Sequence, residues 1–185
     1  MIRLRTAFTF ETDDPRIAID EILKQLDTEH SLLKNSAGFL FCSLDFVSSG
    51  TAAEVSGALP FETIGCTTHG IALPGIMDEN MLAVAVLTSD DVLFRTGVSG
   101  PLDMDGEARI KELYERLSGS CEPSPSLMLV CHANPDRFPG DTVVDILGRI
   151  SGGTPVFGTN ALDETIENRT PLVIYNGGSY PDRLA

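Results

Sequence analysis

Positive charge is scarce in this sequence. Thirteen Lys and Arg stand against 27 Asp and Glu, a formal net charge of −14. Nucleic acids and anionic membranes are bound mainly through Lys and Arg that neutralise phosphates, so so acidic a chain excludes both as first choices. Long apolar runs are missing as well. The longest is the seven residues Met81 to Leu87, against the roughly 20 that a spanning helix needs. The N-terminal stretch MIRLRTAFTFE alternates and soon turns acidic, unlike a secretory signal. Only four cysteines are present, with no Cys-x-x-Cys pair, in a chain too long to need a disulfide framework. Cys42 and Cys131 sit within apolar runs and Cys66 at the end of another. Buried free cysteine behaves as a small hydrophobe, so all four read as reduced thiols of a cytosolic protein. Phosphate-binding loops of the Walker type, G-x-G-x-x-G after a strand, and G-x-S-x-G elbows are absent too. No cofactor is expected.

What is there is globular: 42% hydrophobic and 22% charged residues in 185, the size of one ordinary domain. Residues 2 to 10 alternate, with Ile2, Leu4, Phe8 and Phe10 on one face, a half-buried strand. Asp14-Pro15 opens a helix whose Ile19, Ile22, Leu23 and Leu26 form one stripe. The apolar run Phe39 to Phe46 reads as a buried strand, and Thr51 to Leu59 as a second, weaker helix. Glu62 to Cys66 is a short strand entering a turn, Gly65 to Gly70, and Met81 to Leu87 is a buried strand.

The same order then recurs: a strand at Val92 to Val98, a helix with Ile110, Leu113, Tyr114 and Leu117, and a strand at Leu127 to Cys131. A helix with Val143, Ile146, Leu147 and Ile150 follows, then a turn at Gly158 and a strand from Leu172. From Ile19 to Ile110 is 91 positions, from Cys42 to Cys131 is 89, from Gly65 to Gly158 is 93 and from Leu82 to Leu172 is 90. A self-similar period means one supersecondary unit laid down more than once. The expected fold class is therefore α/β, with α+β as the alternative. It consists of two tandem β-α-β-α-β-β repeats, 1–90 and 91–180, whose buried sheets are covered by amphipathic helices. Residues 181–185 are left as a tail, and Ser118 to Ser126 as a surface loop.

The turn Gly65-Cys66-Thr67-Thr68-His69-Gly70 packs polar groups between glycines. Converging backbone N–H groups there would bind a carboxylate or phosphate; equally, the threonines would cap their own turn. The equivalent stretch, Gly158-Thr159-Asn160-Ala161-Leu162-Asp163, is again polar and adds a carboxylate. Cys66 and His69 also admit a nucleophile-and-base reading, although no third group is identifiable. Cys131-His132 would point to opposite faces of a strand. These two Cys and two His lack the paired arms of a zinc site.

The segments ETIGCTTHGI, TPVFGTNALDE and LVIYNGG resemble the N-terminal FIST domain. Gly65, Cys66, Thr67, Thr68 and Gly70 fill its first motif; Pro155, Val156, Phe157, Gly158, Asp163, Thr170, Asn176 and Gly177 match its second. Thr159 stands where a second glycine is usual, and His69 where a small or aromatic residue is common. The resemblance implies a cytosolic sensory module that binds small ligands such as amino acids, with no established catalysis. It also implies a C-terminal FIST half, or a signalling output domain, as partner. With neither after Ala185, the chain reads as a stand-alone short form or a piece of a longer one. A zwitterionic ligand would draw on Gly65, Cys66, Thr67, Thr68 and His69 at one turn, and on Gly158, Thr159, Asn160 and Asp163 at the other. Two other functions compete with it: a cysteine-dependent hydrolase or transferase using Cys66 and His69, and a non-catalytic interaction scaffold.

Overall fold

A computed structural model describes residues 1–103, 105–119, 125–133, 137–162 and 171–185. In chain order the elements are β1 (Ile2–Thr9), α1 (Pro15–Leu26), α2 (Thr28–Ser31), β2 (Asn35–Cys42), α3 (Leu44–Ser48), α4 (Thr51–Ala58), β3 (Glu62–Thr67), β4 (Ile71–Leu73), β5 (Ile76–Asp78) and β6 (Leu82–Ser89). They continue with α5 (Gly106–Ser118), β7 (Met128–His132), α6 (Gly140–Ile150), β8 (Val156–Asn160), β9 (Val173–Tyr175) and β10 (Gly178–Tyr180). The expected mixture of helices and buried strands is present.

One sheet has six strands in the order β1-β6-β2-β3-β9-β10. Only β2 and β3 run parallel; the other neighbours are antiparallel. The Asp14 side chain caps α1 through the Arg16 N–H, with Pro15 in its first turn. Ala18, Ile22 and Leu26 of that helix pack with Ala52 and Val55 of α4 onto Leu40, Leu82, Val84 and Val86 of the sheet. Burial of this kind stabilises by ~1.5–3 kcal/mol per large apolar side chain. β7 and β8 form a separate parallel pair. A second cluster, with Ile110 and Leu113 of α5 and Val143, Ile146 and Leu147 of α6, is half-covered at Met128 and Val130 of β7 and Val156 of β8.

Several expectations are corrected. Leu44 and Phe46 leave the expected strand for the short helix α3, because Ser43 turns the chain and buries Phe46 under the sheet. Residues 92–98 alternate in sequence yet carry no ladder: their side-chain pattern is that of a strand, but no strand among the described residues pairs with them. Leu172 does not begin a long strand equivalent to β6. Only three residues pair, and Asn176-Gly177, both at positive φ, fold them into the tight β9–β10 hairpin. Pro74-Gly75 does the same for β4–β5. Hairpin aligns with hairpin at a displacement of 102 (71 to 173), not 90. Residues 182–185, expected as a tail, are hydrogen-bonded to the backbone of β7 and of residues 99–102. Ser118 closes α5 instead of opening a loop, and the centre of that loop lies outside the described residues.

Candidate functional site

The two parallel pairs are built around the same constraint. In one, Gly65 lies opposite Leu40; in the other, Gly158 lies opposite Val130. A Cβ on Gly65 would sit 1.7 Å from the Leu40 carbonyl oxygen, and one on Gly158 would sit 2.3 Å from that of Val130. Glycine is required because the strands approach closely here, not because of a special φ. Each second strand then carries its parallel ladder one residue past the end of its partner. The Thr68 N–H donates to the Cys42 carbonyl at 2.9 Å, and the Ala161 N–H to the His132 carbonyl at 2.7 Å.

These strand ends meet. The Leu162 N–H donates to the Thr67 carbonyl at 2.9 Å, and the Thr67 N–H to the Leu172 carbonyl at 2.9 Å. The Leu172 N–H in turn donates to the Thr67 hydroxyl at 3.0 Å. The carboxyl ends of parallel strands are where open α/β sheets take ligands. Here the two ends adjoin, and the backbone between them is already hydrogen-bonded.

The sequence-derived residues separate into three groups. Gly65, Cys66 and Thr67 belong to β3 itself and are buried. Thr68 and His69 reach the surface. Thr68 accepts from the Gly70 N–H and donates to the Gly70 carbonyl, the self-capping turn foreseen as one of two readings. His69 is exposed, 3.9 Å from Glu79. Gly158, Thr159 and Asn160 are exposed on β8, and the Thr159 hydroxyl donates to the Asn160 carbonyl. Asp163 and Thr170 lie outside the described residues, as does Cys121.

Cys66 is unsuited to nucleophilic chemistry. Hydrogen bonding with the Cys131 thiol, then burial, then the nearby sulfurs of Cys131 and Cys42, all push its proton affinity far above the ordinary thiol range. Its expected base, His69, points into solvent beside Glu79. Cys42 is pushed up to about 12 by burial alone. Cys42, Cys66 and Cys131 are all unbridged and buried, as expected for Cys42 and Cys131. Among the described residues no cluster of three His, Cys, Asp or Glu is placed to hold a metal ion.

The sequence reading weighed His132 only beside Cys131, as a base or a zinc ligand, and left it out of the candidate site. It ends β7 opposite Asn160 and is 2% exposed. Neither ring nitrogen has a hydrogen-bond partner among the described residues. Burial lowers its proton affinity; the nearby Asn160 amide pulls the other way but forms no well-shaped bond. The amide oxygen of Asn160 also stands 3.1 Å from where a Cβ on Gly140 would be, against the first turn of α6. In sequence His132 is one polar residue after an apolar run, and only the β7–β8 register sets it against Asn160.

Fold and site together define an α/β domain of mixed sheet in which the carboxyl ends of β3 and β8 adjoin through the Leu162–Thr67 hydrogen bond. Residues 36–185 match the model of the FIST N domain, and the chain belongs to the FIST family. That is a family of sensory, signal-transduction domains. No curated protein and no solved structure matches the chain. No helix among the described residues is long and apolar enough to cross a membrane.

Proposed function

We propose that this chain is a non-catalytic sensory module whose ligand is small and polar, an amino acid or related carboxylate, held where the two parallel strand pairs end. The observation that carries the reading is the direct meeting of those ends through Thr67, Leu162 and Leu172. On this reading Thr68 and His69, which follow Thr67, and Thr159 and Asn160, which precede Leu162, are the polar groups that would meet the ligand. Hydroxyls, an amide and an imidazole offer directed hydrogen bonds without fixed charge, which suits a zwitterion better than a polyanion in a chain of net charge −14. The same reading takes residues 1–90 and 91–180 as two copies of one unit; the matching Gly65 and Gly158 contacts and the matching last ladder bonds onto Cys42 and His132 support it for the parallel pairs, while the hairpins, 102 positions apart, depart from that spacing. Its partner would be a C-terminal FIST half or a signalling output domain.

The test is a thermal-shift panel of amino acids and small carboxylates, because a ligand specific to the folded state raises Tm. With a hit in hand, Asn160→Ala and Thr68→Ala should each weaken binding by roughly 10- to 150-fold, the value of ~1.5–3 kcal/mol for a lost hydrogen bond to a charged group. Tight binding retained by both variants would place the ligand elsewhere. Thr67→Ala is a poor probe, because its hydroxyl accepts the Leu172 N–H and its loss would cost stability.

A further inference from the structure

The six-stranded sheet ends differently on its two sides. One outer strand, β10, has three residues and folds back on β9. The other, β1, has eight. All eight pair with β6 on the inner edge, and no strand among the described residues lies on the outer edge. A long free edge is a template for another strand, and proteins ordinarily keep such edges short or covered.

At Phe8 a side chain of α1 takes the place of a neighbouring strand. The Phe8 N–H donates to Gln25 Oε1 at 3.1 Å, and Gln25 Nε2 donates to the Phe8 carbonyl at 2.7 Å. A carboxamide carries the donor and acceptor of a peptide group, so these are the two bonds that an added strand would make. Backbone groups alternate between edges along a strand. Ile2, Leu4 and Thr6 therefore turn their N–H and C=O groups to the same outer side as Phe8, where no hydrogen bond among the described residues occupies them. A groove of about 370 Å³ runs beside them, lined by Arg3, Leu4, Arg5, Thr6 and Gln25.

The two faces of β1 differ in chemistry. Successive side chains point to opposite faces. On one face Ala7 is buried with α1, while Arg3 and Arg5 are exposed. Neither arginine side chain makes a hydrogen bond or ion pair with the described residues. On the other face Phe8 packs against Ile71, Met81 and Ala83, while Ile2 is 51% and Leu4 62% exposed. The open backbone thus has two cations on one side and two apolar side chains on the other. In a chain with 27 acidic and 13 basic residues, this is a local reversal of charge.

We propose that the outer edge of β1, from Ile2 to Thr6, is a docking site for an extended acidic segment of a partner protein. The segment adds to the six-stranded sheet as a further strand. Its Asp or Glu side chains stand opposite Arg3 and Arg5, and apolar side chains alternate with them opposite Ile2, Leu4 and Thr6. Main-chain bonds supply affinity and the alternate side chains supply selectivity. Gln25 ends the site, because a longer strand would have to displace it from Phe8. The two arginines also guard the edge against a second copy of this chain. Antiparallel addition with Leu4 opposite Leu4 would set each Arg3 directly opposite an Arg5, and like charges in that position repel. The proposal is independent of the ligand reading, with which it shares no residue.

The test titrates an acetylated, amidated peptide, Val-Glu-Val-Glu-Val, into the chain and follows amide hydrogen exchange by NMR. At saturation, exchange at Leu4 and Thr6 should slow by at least about 10-fold, or ~1.4 kcal/mol of local opening. The amides of Arg3 and Arg5, which face β6, should change little. Arg3→Glu combined with Arg5→Glu should weaken binding at least about 10-fold, because two attractions become two repulsions. The same variant should prefer Val-Lys-Val-Lys-Val, and its Tm should stay near that of the parent because both arginines are exposed. Failure of the acidic peptide to bind at millimolar concentration would overturn the proposal. So would equal binding of the lysine peptide to the parent chain. Equal binding of a peptide N-methylated at its valines would show charge attraction without strand addition and overturn it as well. Dimerisation of the chain with Leu4 and Thr6 protected in the absence of peptide would overturn it in favour of a second copy.

Discussion

The parallel pairs β2–β3 and β7–β8 share a glycine opposite a carbonyl, a last ladder hydrogen bond one residue past the strand end and helical cover on one face. Their surroundings differ. β2 and β3 are enclosed by β6 and by the β9–β10 hairpin, and Leu40, Ile64 and Cys66 are buried. β8 faces water along its outer edge, and Phe157 is 73% exposed. Burial of a strand is therefore conferred by its neighbours, and nearly the same local unit serves as a sheet centre in one place and an edge in another.

The largest expected difference between the two pairs is at their glycines. Gly65→Ala should cost more than ~3 kcal/mol, read by urea denaturation, because the new methyl meets backbone held on both sides. Gly158→Ala should cost about 1 kcal/mol, because β8 is free to move outward. Equal losses would mean that β8 is as tightly held as β3.

Truncation opposite those glycines gives the next contrast. Leu40→Ala should cost about 3 kcal/mol and Val130→Ala about 1 kcal/mol, since Leu40 is wholly buried and Val130 only partly so.

The last residue of the first strand in each pair sharpens the comparison through pH. Cys42 ends β2 with a thiol raised from 9.0 to about 12. Above pH 9 the unfolded chain releases this proton while the folded chain keeps it. This proton should therefore contribute a loss of ~1.4 kcal/mol per unit as pH rises from about 9 to about 12, and Cys42→Ala should remove that share of the slope, leaving the share of Cys66, whose thiol is also raised. His132 ends β7 and is held neutral by burial. Below pH 6.5 the unfolded chain takes up a proton that the folded chain resists, so stability is lost as pH falls. His132→Phe should remove this acid loss, the smallest of the four effects, in denaturation curves at pH 5 and 7.

Much of the fold could be read in the sequence. The stripes Ile19-Ile22-Leu26 and Val143-Ile146-Leu147 lie on helices, and the apolar runs before Cys42 and Cys131 on strands, because periodicity reflects a helix or strand with one buried face. Reading failed where pairing partners decide. Residues 92–98 have a strand's pattern and no ladder, and Phe46 has a strand's hydrophobicity in a helix. The polar turn was found after the strand read over Glu62 to Cys66, but Thr67, expected in the turn, proved to be the last residue of that strand. The meaning of His132 depended on Asn160, 28 positions away and opposite it in register.

The sequence by itself determined helices α1, α4, α5 and α6 and the apolar strands that carry Cys42 and Cys131. Each of these is set by a residue's own shape, or by neighbours within one turn of chain. Tertiary structure alone decided that β9 extends the first sheet, that Thr67 joins Leu162 and Leu172, and that Asp182–Ala185 enters beside β7. Backbone hydrogen-bonding groups are the same in every residue, so which strand edge meets which is settled by the packing of side chains far apart in sequence.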